Sequence, residues 1–172
     1  MVPSKYKKIK LFFFVLIPSL ITLSLIIFSS ANYPIPGIAN FAPLFLTISV
    51  FYWALYGPNF IPKWFVFFIG LYQDMLFGTP LGASTLLNLI LYGAISSQQR
   101  FLIKEEFPFI WGIFSIAASS MCFLYWIINM MYYSKFMFNF EMIVQLIATI
   151  FIYPLIHKLF SEIYSLIIEA YY

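Results

Sequence analysis

Residues 62–99 read PKWFVFFIGLYQDMLFGTPLGASTLLNLILYGAISSQQ, and their layout decides the fold. From Pro62 to Phe77 the run is apolar apart from Lys63 at its edge, Gln73 and a single acid, Asp74. The segment Gly78-Thr79-Pro80-Leu81-Gly82 interrupts it, and a second apolar run extends from Leu81 to Gln99. Proline fixes φ and glycine admits positive φ, so 78–82 reads as a hairpin tip between antiparallel helices rather than as a packing face with glycines four apart. Neither run alternates apolar with polar, and each exceeds the ~9–11 residues of a membrane barrel strand. A bilayer core about 30 Å thick takes about 20 mostly apolar helical residues. The stretch therefore reads as a membrane-embedded helical hairpin.

The same reading extends to both ends of the chain. Apolar spans are expected at 11–31, 38–57, 62–77, 81–99, 107–132 and 140–160, with Pro18 and Pro154 inside the first and last. The whole chain of 172 residues is 63% hydrophobic and 9% charged. A soluble domain is about 45–50% apolar and about 25% charged. This composition excludes a soluble enzyme, a disordered tail and a nucleic-acid-binding module. The expected fold is all-α: a polytopic membrane protein with a single transmembrane domain over 1–172, built as a six-helix bundle.

Charge placement sets the expected orientation. With the N-terminus in the cytoplasm and six crossings, eight of the nine basic residues fall inside: Lys5, Lys7, Lys8, Lys10, Lys63, Arg100, Lys104 and Lys158. Only Lys135 falls outside. This is the positive-inside bias of a protein with both termini cytoplasmic. A competing reading takes Lys5 to Lys10, the apolar run and Ser29-Ser30-Ala31 as a secretory signal. The run from Leu11 to Phe28 is longer than a signal core of about 7–15 residues, so a retained helix is expected. Tyr33, Trp64, Trp111, Tyr132, Tyr133, Tyr171 and Tyr172 sit near span ends, where amphipathic rings settle.

Asp74 is the most informative polar residue. It lies about 16 Å along the helix from Lys63, at about 1.5 Å per residue. A carboxylate at that depth costs a few kcal/mol unless protonated, paired or hydrated. Gly70 and Gly78 share its helical face, so another helix can approach closely. Gln73, Ser84, Thr85 and Asn88 are the expected hydrogen-bond partners. Asp74 is then either a proton or substrate site, or a cap that fixes the hairpin. The cap is preferred, since no basic residue, histidine or second acid lies in the middle of any span and a proton relay needs successive titratable groups.

The remaining polar residues point to packing. Ser115, Ala118, Ser119 and Cys122 fall at i, i+3, i+4 and i+7, a small-residue helix stripe suited to close approach. A single cysteine leaves no intramolecular disulfide, and a single histidine, His157, leaves no ordinary zinc site. His157 is expected near the C-terminus of the last helix, and Glu141 in its first turn after Asn139. No catalytic residue, metal site or cofactor site is expected, because no nucleophile, base and oxyanion donors assemble.

The stretch from Pro43 to Gly82 resembles a known family. It contains Pro43-Leu44-Phe45-Leu46, Tyr52-Trp53-Ala54-Leu55, Pro58 and the run Gly70 to Gly82. Gly70, Leu71, Asp74, Gly78 and Gly82, with Pro80 in the turn, resemble the recurrent motif of MreD, the rod-shape-determining membrane proteins of bacteria. Leu44 departs from the pattern, since many members carry a polar residue there. The resemblance implies a non-enzymatic protein of the bacterial cytoplasmic (inner) membrane. It implies work with MreC, RodA, RodZ, a class B penicillin-binding transpeptidase and, indirectly, the actin-like MreB, in side-wall peptidoglycan synthesis. The family's bundle is also similar to the substrate-binding subunits of energy-coupling-factor vitamin transporters.

Two functions follow as expectations. The first is a membrane scaffold of the cell-elongation complex, interacting through helix–helix contacts with partner membrane proteins and bathed in membrane lipids. The second is a small-molecule-binding subunit of a vitamin-type transporter, suggested by six helices and the polar group at Asp74, Ser84 and Asn88. A lipid-linked precursor held between helices is compatible with the first. Nucleic acid is not an expected partner.

Overall fold

Prolines and glycines set most helix boundaries. The structure, a computed structural model, describes residues 5–30, 43–134 and 140–171, with the side chains of 17–29, 43–134 and 142–169. Within these there are six helices and no strand: α1 Lys5–Ser30, α2 Phe45–Tyr56, α3 Lys63–Phe77, α4 Ala83–Leu102, α5 Phe107–Tyr133 and α6 Phe140–Tyr171. Pro62 precedes α3, and Gly78 closes it at φ 64°. Gly82 introduces α4 at φ 95°, and Pro108 sits in the first turn of α5. Proline is preorganised for a helix start, where its missing N–H costs nothing. Residues 38–42, Ala31, Tyr33, Lys135, Asn139 and Tyr172 lie outside the described residues, as do the side chains of Lys5, Lys7, Lys8, Lys10, Glu141 and Tyr171.

Two helices differ in extent from the sequence expectation. α2 begins only at Phe45, because Pro43 starts a turn and the Leu44 N–H is taken by the Thr149 hydroxyl at 3.0 Å rather than by a helical carbonyl. Its 12 residues reach about 18 Å. α6 runs on from the expected end at 160 to Tyr171, 32 residues and about 48 Å in all. Beyond Phe160, Ile163, Tyr164 and Ile167 turn toward the bundle, while Glu162, Ser165 and Glu169 are exposed. A helix closes its own hydrogen bonds and need not end where the lipid does. His157 consequently sits well inside α6 rather than near its C-terminus.

The packing is organised around α2. Every residue from Phe45 to Leu55 is buried. α2 touches α1, α4 and α6, and α3 and α4 pair as the antiparallel hairpin read from 62–99. A helix apolar on all sides can be buried on all sides. Phe51 meets Phe114 of α5 and Tyr153 of α6 edge-on at 5.2 and 5.8 Å, and the latter two stack at 4.0 Å. These rings tie α2, α5 and α6 together.

The outer surface is apolar as well. Ile116, Phe151 and Leu155 are 70, 71 and 70% exposed. Phe107–Tyr133 and Met142–Glu169 are long and apolar enough to cross a bilayer, and only 17% and 22% of their apolar stretches is buried inside the protein. The core helix of a soluble protein would be mostly buried. Exposed apolar surface on this scale needs lipid as its solvent.

Pro154 raises a backbone problem that α5 solves. It has no N–H to give the carbonyl of Ile150, four residues earlier. The indole Nε1–H of Trp111 donates to that oxygen at 3.0 Å. Trp111→Phe should therefore cost about 1–3 kcal/mol, the price of an orphaned buried acceptor. In a Pro154→Ala background the restored backbone N–H takes the carbonyl, and Trp111→Phe should cost markedly less. Thermal unfolding of the four variants in detergent measures the coupling.

Candidate functional site

The site grows from the end of α3. Gly78 adopts the left-handed conformation, and the N–H groups of Gly78 and Thr79 both turn back to the carbonyl of Asp74, the latter at 3.1 Å. This closes α3 and reverses the chain. The reversal places the N-terminus of α4 over the Asp74 side chain.

Asp74 is 0% exposed. Its Oδ2 accepts the N–H of Gly82 at 2.8 Å. Its Oδ1 accepts the N–H of Ser84 and the hydroxyl of Thr79, both at 3.1 Å. The residue at the N-cap of α4, Gly82, has no side chain to cap with. Asp74 supplies the cap from the preceding helix. The first N–H groups of a helix lack internal partners, and the helix end carries partial positive charge, so an acidic group fits there. The Ala83 N–H goes to the carbonyl of Pro80 at 3.0 Å. The start of α4 is thus paired within the hairpin.

The polar groups continue inward and sideways. Asn88 donates to the Ser84 carbonyl at 2.8 Å and accepts from the Thr47 hydroxyl of α2 at 3.3 Å. The Thr85 hydroxyl reaches the Phe67 carbonyl at 3.5 Å. From α5, the Tyr125 phenol lies beside Thr79, Ser84 and Asn129 and faces Asp74. The Tyr133 hydroxyl donates to the Gly78 carbonyl at 3.1 Å. Both tyrosines clamp the hairpin tip onto α5.

Of the partners expected for Asp74, Ser84 contributes its backbone N–H rather than its hydroxyl. Thr85 and Asn88 bond elsewhere, because the carboxyl's oxygens are already taken by the turn. The Oε1 of Gln73 is buried without a partner. Thr79, Tyr125 and the Gly82 N–H are the donors or neighbours that residue type alone did not single out. Their signal was positional: the turn brings Thr79 and Gly82 within five and eight residues of Asp74. Tyr125 had no such signal. Leu71 is half-buried and Pro80 is buried in the turn.

Gly70 marks the closest approach of α3 and α4. A Cβ there would lie 2.7 Å from the Thr85 Cα and 2.8 Å from its Oγ1. In the α5 stripe, Ala118 is fully buried. The Ser115 and Ser119 hydroxyls bond to the carbonyls of Trp111 and Ser115, each at 2.8 Å. Cys122 points its Sγ toward the Met142 carbonyl at 3.9 Å. The stripe thus faces α6 in part, and Ser119 is exposed. Among the described residues no group of three or more His, Cys, Asp or Glu is placed to hold a metal ion.

An all-helical protein with an apolar exterior and an internally capped acid is a helical membrane protein. Its family is shown directly: the family model described as rod shape-determining protein MreD matches residues 8–163, and the chain belongs to that family. No curated protein and no solved structure matches it. Membership makes this a membrane protein with a role in rod shape determination.

The cap predicts an order of stability. Asp74→Asn keeps an acceptor oxygen but turns an amide N–H₂ toward a backbone N–H, and should cost about 1–3 kcal/mol. Asp74→Ala orphans every donor and should cost more. Gly78→Ala meets no atom, so only the left-handed backbone is penalised, by about 1–2 kcal/mol. Gly70→Ala forces the α3 and α4 backbones apart and should cost about 1–3 kcal/mol with a visible loosening of the hairpin. Melting temperatures in detergent, with trypsin susceptibility near Arg100, check the series.

Proposed function

We propose that this protein is a non-enzymatic scaffold of the bacterial cell-elongation complex, which supports side-wall peptidoglycan synthesis through helix–helix contacts with partner membrane proteins. It crosses the cytoplasmic membrane six times as one domain, with both termini in the cytoplasm. Its direct partner is the transmembrane segment of an MreC-like protein. RodA, a class B penicillin-binding protein and RodZ join in the same membrane, and MreB is reached indirectly.

The observation that carries this reading is the engagement of the buried acid. Asp74 is the acid deepest in the apolar hairpin, and its oxygens are occupied by Thr79, Gly82 and Ser84. A group held in that way builds a turn. It does not transfer protons or bind substrate. Family membership supplies the biological setting. The apolar exteriors of α5 and α6 supply surface for partner helices. The placement of Lys63, Arg100, Lys104 and Lys158 supports the orientation. The transporter-type reading gains nothing from Asp74, Ser84 and Asn88, whose hydrogen bonds are made within the protein.

Depletion in the host should turn rods into spheres, and expression from a plasmid should restore rods. Photo-crosslinkers placed along residues 62–133 should capture an MreC-like protein at outward positions such as Ile116. Normal rods on depletion would overturn the cell-shape role. Restored rods without any such capture would overturn the partner. Alkaline phosphatase fused after Tyr172 should be inactive, and activity would overturn the orientation.

A further inference from the structure

Ser49, Tyr52, Trp53 and Tyr56 lie on one face of α2, and the rings of that face meet α6. Tyr52 touches His157 and Phe160 at 5.3 and 5.2 Å, and Trp53 touches Phe160 at 5.5 Å. Tyr153, His157 and Phe160 recur at i, i+4 and i+7 and form the facing side of α6. At the inner end of this seam the Tyr56 hydroxyl and His157 Nε2 are 3.2 Å apart. Tyr52 is engaged by Ser161.

Toward the membrane interior the polar atoms change character. Ser49, Trp53 and Tyr153 are each 0% exposed. The Ser49 Oγ, Trp53 Nε1 and Tyr153 hydroxyl are each buried without a protein partner. A lone unpaired atom in a core is tolerable strain. Three on the two facing sides of one seam, next to a Tyr–His hydrogen bond, form a pattern. In a bilayer each unpaired polar group costs several kcal/mol, and lipid offers no partner. Buried polar groups that find no protein partner commonly hold ordered water, which needs two to four polar neighbours. The Tyr153 hydroxyl has the phenols of Tyr52 and Tyr56 as its polar surroundings.

We propose that the α2–α6 seam is a binding site for ordered internal water. The water is held by the Tyr153 hydroxyl, Ser49 Oγ and Trp53 Nε1 and joined to the Tyr56–His157 pair at the inner end. Its ligand class is therefore water, a neutral molecule that both donates and accepts. Trp53 can only donate, the hydroxyls do both, and no cation or carboxylate is needed to balance the site. The seam then differs from the aromatic contact of Phe51, Phe114 and Tyr153, which is dry on its ring faces.

X-ray radiolytic labelling of the full-length protein in nanodiscs, read by mass spectrometry, tests the site. Hydroxyl radicals made from bound water mark the residues beside it. Tyr153 and Trp53 should be labelled several-fold faster than Phe51 and Phe114, which are equally buried. Labelling as slow as that of the two phenylalanines would overturn the proposal. Tyr153→Phe supplies the second measurement. If Tyr153 anchors water, the variant should unfold at a lower temperature and Trp53 labelling should fall. An unchanged or raised unfolding temperature would mean that the hydroxyl was simply unpaired, and would overturn the proposal as well.

Discussion

The hydrogen bonds from Gly82, Ser84 and Thr79 to the carboxyl of Asp74 hold the hairpin on which the bundle is built. A helix that begins inside lipid cannot leave its first N–H groups to water. A capping side chain normally comes from the residue at the helix start, yet here that residue is glycine, as the reversal at φ 95° favours. The acceptor must come from elsewhere, and α3 delivers it one turn before its own end. One residue thereby joins the end of α3 to the start of α4. The consequences spread from there. With the hairpin closed, Gly70 and Thr85 come into contact, Asn88 faces Thr47, and α2 is seated against α4.

Lipid is the second constraint. Inside a bilayer the apolar residues have no reason to segregate from the surface, and the polar groups have every reason to pair. The structure follows that rule. Leu, Ile and Phe side chains are spread over the outside of α5 and α6, while serine hydroxyls on α5 fold back onto carbonyls of their own helix. Where a proline breaks the ladder, as at Pro154, a tryptophan from the neighbouring helix fills the gap. A protein with such an exterior meets its partners chiefly through shape and close packing. That suits a family whose role is in cell shape rather than in a reaction of its own.

Much of this was legible in the residues. Apolar run length and the Gly78–Gly82 turn mark α3, α4 and their hairpin, and α5 falls within a residue of its expected end. Asp74 stood out because an acid in an apolar run must be accounted for. Its partners were harder to read. Residue type suggests side-chain donors such as Asn88 and Thr85, whereas the actual donors are chiefly backbone N–H groups, which every residue carries and no pattern reveals. The end of α6 was misjudged for a related reason. Apolar density falls after Phe160, but helical geometry persists because Ile163, Tyr164 and Ile167 still find the bundle.

By itself, then, the sequence determined the solvent of this protein, the helical class, the hairpin turn and the residue that had to be neutralised there, because each follows from local composition and backbone stereochemistry. Only the tertiary structure decided that α2 is the buried centre, that Tyr125 and Tyr133 clamp the turn from α5, that Trp111 repairs the break at Pro154, and that unpaired polar atoms gather between α2 and α6. Those outcomes depend on which helix lies beside which. In a chain apolar on nearly every face, helix periodicity carries too little contrast to say so.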